Sequence, residues 1–289
     1  MNSNNIYKSS NAGLKTASIS QNIDTPKYEV IPFINMNNSY SMISDTIHIK
    51  NFKKQSNLEK TITIDKAENK YEINQVFNIR WEGYKKYFTK KREEIDIYDF
   101  EPNVVHFLAK DENNKPVGTI RILDRRFGKI ELDEFIKVDS FLPDNKKSCV
   151  EVTRFSIPNH PKSKLIKMLL WKSVLLYCRA NRINVIIASC RSCAARAYRC
   201  LGLENVGIQG SYSHPLLGNK KHTTYKCDIS KSSEWLKNNN SSLYNFFFKE
   251  NHPNIKIDLF NKYNKEKRFN PQWDQLIQII NEAELKKAA

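Results

Sequence analysis

The sequence predicts a mixed α/β domain, and three observations carry that expectation. Val104-Val-His-Phe-Leu-Ala109 and Val117-Gly-Thr-Ile-Arg-Ile-Leu123, on either side of a turn, read as the strands of a β-hairpin. Apolar residues at a helical period mark longer segments before and after those strands. The resulting order is strand, helix, two antiparallel strands, then strand, helix, strand, helix and a closing pair of strands, which implies a mixed sheet.

Taken in order, Thr61–Ile64 alternates as a strand does. Asp65, with Glu68 three residues on, suits a helix N-cap and its reciprocal partner. The helix they open is expected to run to about Phe88, with Ile73, Val76, Phe77, Ile79, Tyr84 and Phe88 roughly on a helical period. Asp111-Glu-Asn-Asn-Lys115 is the turn of a β-hairpin. Residues 127–142 are mixed and assign to no element. Beyond them Ser148–Ile157 reads as a strand, Lys162–Ala180 as a helix, Asn184–Ala188 as a buried strand, and Ser192–Cys200 as a helix closed by Gly202. Leu203–Ile208 and His222–Ile229 read as the final strands. Two helical stretches follow, one around Trp235–Phe248 and one opened by Asn270 and Pro271, with Trp273, Leu276, Ile277 and Ile280 on one face.

The chain has 289 residues, 40% of them hydrophobic, enough for one packed domain with extensions. Residues 1–58 hold ten Asn and nine Ser and no sustained apolar period, a composition that predicts a largely flexible tail. The expected domain covers residues 59–230, and a helical extension packed on the core covers 231–289. Within the tail, Tyr28-Glu-Val-Ile-Pro-Phe-Ile34 leaves open an added strand or a docked segment. No apolar run is long enough for a membrane span and the opening residues lack a secretory apolar run, so the expected location is the cytoplasm, with peripheral membrane contact left open. The six cysteines read as reduced thiols. The net charge of +16 points to an acidic partner. Its distribution is uneven: residues 67–157 carry 17 basic and 17 acidic side chains, whereas residues 158–230 carry 12 basic ones against Glu204 and Asp228 alone.

An ordered set of residues carries a resemblance. It comprises Arg80 and Tyr84 on the first helix, Asp96 and Asp99 after it, Arg121 in the second hairpin strand, Phe135, and Glu151-Val-Thr-Arg154-Phe155. In order and spacing this set resembles the acyl-homoserine-lactone (autoinducer) synthases and the related N-acyl amino acid synthases, branches of the GNAT acyltransferase superfamily, over about residues 60–230. The resemblance implies a GNAT-like, mostly antiparallel central sheet flanked by helices, and an enzyme that moves an acyl group from a thioester to an amine. It also implies that Arg80, Tyr84, Asp96, Asp99, Arg121, Phe135 and Phe155 shape the substrate site. Arg80, Asp96, Asp99, Arg121 and Arg154 equally suit an ion-pair network tying the first helix to the sheet.

The chemistry asks for similar groups. An amine attacking a thioester must lose a proton, and Glu151 is the candidate general base. Alternation puts Thr153 and Phe155 on its face of the strand and Arg154 on the other. A bulge, usual in the superfamily, breaks the alternation, lets both Glu151 and Arg154 line the cleft, and frees backbone N–H groups for the developing oxyanion. Tyr198 matches the superfamily's Ala-x-x-x-Tyr-x-x-x-Gly spacing within Ala194–Gly202 and is the candidate acid for the departing thiolate, or a packed helical tyrosine.

Two departures from the family refine this. The tryptophan usual in lactone synthases between the positions of Arg80 and Asp96 is missing, Trp81 coming too early, which turns the expected acceptor from S-adenosylmethionine towards an amino acid or similar small amine. The segment after the central strand, Pro158-Asn-His-Pro-Lys-Ser-Lys164, holds no glycine for the amide nest that cradles the pyrophosphate of coenzyme A. The expected donor is therefore an acyl-phosphopantetheine thioester on acyl carrier protein, in preference to acyl-CoA, with no permanently bound cofactor. Carrier proteins are acidic, and Lys162, Lys164, Lys167, Lys172, Arg179 and Arg182 offer either a docking face or a solvated one.

Other readings compete. A lactone synthase using S-adenosylmethionine and an acetyl-CoA-dependent N-acetyltransferase remain alternatives. A nucleic-acid-binding protein explains the charge but shows neither a reader motif nor basic residues interleaved with aromatics. Cys190, Cys193, Cys200, His214 and His222 lack the regular spacing of a zinc site, and no metal is expected. Cys190 is either packed or a nucleophile activated by Arg191 and a helix dipole. Phe246-Phe-Phe248 is either core or a contact for lipid or an acyl chain.

Overall fold

The computed structural model describes residues 61–88, 94–142, 148–215 and 218–256. The Asn- and Ser-rich tail and the helix expected at Asn270 lie outside the described residues. Asp65 does not open the first helix. It belongs to β1 (Thr63–Lys66) and stands opposite Leu108 of β2 (Val104–Lys110). Capping falls to Asn69, whose Oδ1 accepts the Glu72 N–H at 3.0 Å, while the Glu72 carboxylate accepts the Glu68 N–H at 3.1 Å. The same three-residue spacing therefore recurs one turn later, and α1 covers Lys70–Tyr84.

β2 and β3 (Pro116–Asp124) form the expected hairpin, its turn held by Asp111 Oδ1, which accepts from the Asn113 and Lys115 N–H groups. β4 (Cys149–Ser156) pairs antiparallel to β3 and parallel to β5 (Val185–Cys190), with α2 (Ser163–Ala180) as the crossover. A short 3-10 turn leads into α3 (Ala195–Cys200). Gly202 follows at φ +78°, where an added Cβ would lie 2.5 Å from Ser232 Oγ. β6 (Glu204–Asn205) and β7 (Ser211–His214) both pair with β8 (Lys220–Asp228). β7 went unforeseen because it is short and polar. Ile229 leaves the expected last strand and opens α4 (Ile229–Asn239), followed by α5 (Ser241–Tyr244), a π-helical turn over Asn245–Lys249, and β9 (Ile255–Lys256) beside β1. The sheet order is β6-β8-β5-β4-β3-β2-β1-β9 with β7 on β8, and apart from β4–β5 and β1–β9 its pairings are antiparallel.

Alternation divides the sheet into two faces. Phe107, Ile120, Ile122, Val150 and Val152 lie on the face packed by Ile166, Leu169, Leu170 and Val174 of α2. Leu236, Leu243, Phe246 and Phe247 join this same core, so the phenylalanine run is packed inside. The other face is polar at its centre. His106, Arg121 and Thr153 stand side by side across β2, β3 and β4, and Arg80 of α1 reaches down to His106. No helix among the described residues is long and apolar enough to cross a membrane.

Lys172 is not a surface cation. It is 2% exposed, and its Nζ donates to the carbonyls of Phe246 and Phe247 at 2.8 and 2.5 Å. It thereby satisfies carbonyls of the π-helical turn that a regular helix would use internally. Lys172→Met should lower the unfolding free energy by about 1–3 kcal/mol through those orphaned acceptors. Chemical denaturation of the purified variant measures it.

Candidate active site

The β4–β5 ladder stops at Val152 opposite Ala188, although β4 runs on to Ser156 and β5 to Cys190. The two strands part beyond that point, and a cavity of about 180 Å³ fills the gap. On its other side β4 carries a bulge. Arg121 stands opposite Thr153 and Thr119 opposite Ser156, so β4 uses one residue more than β3 over this stretch. The irregularity includes Arg154, whose backbone is left-handed at φ +49°. Simple alternation would point Arg154 at the apolar α2 face. The bulge turns it to the polar face instead, where Asp96 and Glu131 receive it.

Those two carboxylates belong to a closed network. Arg121 NH1 donates to Asp96 Oδ1 at 2.5 Å and to Asp99 Oδ1 at 2.9 Å, its NH2 to Glu131 Oε2 at 2.7 Å, and its Nε to Thr153 Oγ1 at 2.8 Å. Arg80 NH1 donates to Asp99 Oδ1 at 2.6 Å, and its NH2 lies 3.0 Å from His106 Nδ1. Arg154 donates from Nε to Asp96 Oδ2 at 3.0 Å and from NH2 to Asp96 Oδ2 and Glu131 Oε1. Three guanidinium groups thus face three carboxylates. Arg80 and Arg121 are fully enclosed, where an unpaired charge would be prohibitive. Burial and then Arg80 push the His106 imidazole down to about 3, so it is neutral in the network.

Of the residues singled out in the sequence, Glu151, Arg154, Tyr198, Tyr84 and Phe155 line the cavity. Tyr84 OH donates to the Phe155 carbonyl at 2.6 Å, which ties the end of α1 to the bulge. At the same crossing an added Cβ on Gly83 would lie 2.1 Å from Ser156 Oγ, so a side chain there would have to displace the hydroxyl from its bond to the Ile79 carbonyl. Arg80, Asp96, Asp99, Arg121 and Phe135 are not among the lining residues: the first four stand behind the wall, and Phe135 stacks on Tyr212 at 4.8 Å. Tyr198 packs edge-on against Trp171 at 5.7 Å. The basic set does not form one face. Lys167 lines the cavity, Lys162 pairs with Glu112 at 3.1 Å, Lys164 is exposed, and Arg179 and Arg182 sit at the far end of α2, about 20 Å along the helix. Cys190 is buried at the cavity wall, and that burial, then Cys193, pushes its thiol up to about 12 against the pull of Arg199.

Glu151 is 2% exposed, and its Oε2 accepts the Leu132 N–H at 3.1 Å. Burial, then the neighbouring Glu131 charge, raises its carboxyl to about 8. Glu131 was missed in the sequence because it sits in the aperiodic stretch of residues 127–142. Burial works against its charge, but Arg154, His214 and Arg121 hold its carboxyl far below the usual range. His214 Nε2 lies 3.1 Å from Glu131 Oε1. It had drawn notice in the sequence only as a metal-ligand candidate.

A model of the N-acyl amino acid synthase FeeM family matches residues 75–220, just over half of the 289. The chain belongs to this family. It is an acyltransferase, and the bulged, splayed central strand is the GNAT arrangement expected of one. Among solved structures, FeeM, an N-acyl amino acid synthase from uncultured soil microbes, is similar at 17% identity over 60% of this chain and 93% of its own, with a TM-score of 0.50. The acyl-homoserine-lactone synthase LasI matches at 17% identity over 57% and 87%, with a TM-score of 0.44. The CoA-dependent acyl-homoserine-lactone synthase BjaI matches at 14% over 68% and 93%, with a TM-score of 0.46. The FeeM likeness bears on the fold alone, and nothing is drawn from the lower two. No curated protein matches by sequence.

The network makes the fold acid-sensitive. Asp99 and Glu131 ionise in the folded state well below their ordinary values of 3.8 and 4.5. Their stabilisation is therefore fully present above those values and is lost progressively as pH falls below them towards the folded-state values. Unfolding titrations should show stability declining below about pH 4.5. Asp99→Asn, which strips a buried charge from two guanidinium groups, should cost about 3–5 kcal/mol at neutral pH and flatten that acid limb.

Proposed function

We propose that this chain transfers a fatty acyl group from acyl carrier protein to the amino group of an amino acid or similar small amine. The observation that carries the reading is Glu151, an enclosed carboxyl at the splay with its pKa raised to about 8, beside the bulge at Arg154. In this mechanism the thioester enters along the apolar wall of Phe155, Met168, Trp171 and Leu201 and the amine from the side of Glu131 and Tyr212. Ionised Glu151 accepts a proton from the attacking nitrogen, backbone amides of the bulge meet the oxyanion, and Tyr198 protonates the thiolate. Arg154 holds the acceptor side in shape, and Arg80, Asp96, Asp99 and Arg121 position Arg154 and Glu131 without touching substrate.

Two features support a carrier-bound donor. The segment after β4 has no glycine, and two of its amides are already engaged: the Lys162 N–H donates to His160 Nδ1 at 3.1 Å and the Ser163 N–H to the His160 carbonyl at 3.0 Å. A pyrophosphate would find them taken. Of the basic set, Lys162, Lys164 and Lys167 near the start of α2 support a contact with an acidic carrier, while Arg179 and Arg182 are too distant to share it.

Glu151→Gln should reduce turnover by about 10²–10⁴-fold while leaving the circular dichroism spectrum intact. Because the base works ionised, wild-type kcat/KM should rise with pH towards about 8. Mass spectrometry of lipid extracts from cells expressing the wild type and Glu151→Gln would reveal acyl length and head group. Undiminished product from the variant sinks the assignment. For the donor, acylated carrier protein should raise the melting temperature and acetyl-CoA should not. The opposite result would return the site to a coenzyme A thioester.

A further inference from the structure

His214 closes β7 and is 4% exposed, yet its side chain lines the cavity together with Glu131, Glu151 and Arg154. Its two nitrogens are in different circumstances. Nε2 faces Glu131 Oε1 at 3.1 Å, and an ionised carboxylate can only accept, so Nε2 carries the proton. Nδ1 is then a bare lone pair, and it is enclosed with no hydrogen-bond partner. A buried acceptor without a donor, on the wall of a cavity meant for an amine, is an arrangement that a substrate N–H completes.

The stoichiometry of amide formation leaves room for such an acceptor. The amine reaches the site as an ammonium ion and ends as an amide N–H, so the nitrogen sheds two protons, one before it can attack and one after. Glu151 accounts for one of them. Resting on the acyl-transfer reading above, we propose that His214 is a second catalytic base, its Nδ1 taking the first proton from the acceptor ammonium while Glu131 balances the imidazolium. In that step an N–H bond of the ammonium breaks, its electron pair stays on the amine as the nucleophilic lone pair, and an Nδ1–H bond forms. The amine then adds to the thioester carbonyl and the second N–H proton passes to ionised Glu151. The C–S bond breaks and the thiolate takes a proton from Tyr198. Proton return to Tyr198 and release of one proton to solvent close the cycle.

The groups around His214 suit this role. Glu131 comes from the 3-10 turn before β4, Tyr212 from its own strand at 6.1 Å between ring centroids, His222 from β8 at 5.3 Å, and Phe135 at 5.5 Å, with Arg154 on the same Glu131 oxygen as His214 and Arg121 on the other. His222 is a poorer candidate, since its Nδ1 lies 2.8 Å from the Lys220 carbonyl and burial lowers its pKa. Glu131 is a positioning residue here, fixing the tautomer and stabilising the charge that forms.

The test uses the full chain with dodecanoyl acyl carrier protein as donor and an equimolar mixture of the standard amino acids as acceptor, with product read by mass spectrometry. His214→Gln keeps an N–H for Glu131 and lacks a base. Its kcat/KM for the amine should fall by about 10²–10⁴-fold at neutral pH with KM for the donor unchanged. The deficit should shrink about tenfold per pH unit as free amine replaces ammonium. In His214→Ala, added imidazole should restore turnover, which decides the matter should the Gln variant fail to fold. Activity within about threefold of wild type, or a deficit constant across pH and deaf to imidazole, overturns the proposal. Absence of acylated product from the wild type would instead strike the acyl-transfer reading, and the two failures are distinguishable.

Discussion

The left-handed backbone at Arg154 is kept in place by Asp96 and Glu131, and those carboxylates are kept in place by Arg121. A non-glycine residue at positive φ costs about 1–3 kcal/mol and persists only where its surroundings over-determine it. Here the surroundings are charge. Turned to the polar face, the guanidinium finds two carboxylates within hydrogen-bond distance. Turned to the other, it would enter an apolar layer of Val150, Val152 and α2 side chains. Choice of face thus sets the bulge, and the bulge shapes the edge of the cavity.

The same interaction explains why the network is matched in charge. A cleft that binds substrate through spare cations would leave them buried and uncompensated between turnovers. In this chain the three guanidinium groups are matched by three carboxylates, and the groups turned towards the cavity include ones of weak charge: Glu151, protonated up to about pH 8, and a histidine. The strong charges hold the architecture and the weak ones are left to exchange protons. That division separates stability, which the network dominates, from chemistry, which needs groups free to gain and lose a proton.

Much of the sheet was legible in the sequence because its strands are apolar runs bounded by turn residues and the helix between β4 and β5 is long. The hairpin, β4, α2 and β5 fall within a residue or two of where their patterns place them. The N-terminus of α1 was not, because Asp65/Glu68 and Asn69/Glu72 offer the same capping spacing and only the pairing of Asp65 with β2 separates them. Of the site, the residues on regular elements were visible as an ordered set, though their spacing could not tell which reach the cavity and which stand behind it. Glu131 and His214 were invisible as partners. One lies in an aperiodic turn, the other on a short polar strand, and they are 83 residues apart along the chain. No local pattern encodes such a pair, since a β-sheet brings together what the sequence keeps far apart.

The contact of Gly83 with Ser156 sets the latitude that variation has in this scaffold. Because the Ser156 hydroxyl, bonded to the Ile79 carbonyl, fills the space beside Gly83, an added carbon on that wall of the cleft would have to displace the hydroxyl and break its tie to the helix. The opposite wall is built of Met168, Trp171 and Leu201, side chains that can be exchanged for larger or smaller ones without moving backbone. The α2 side of the cleft therefore tolerates a change of shape that the α1 side resists.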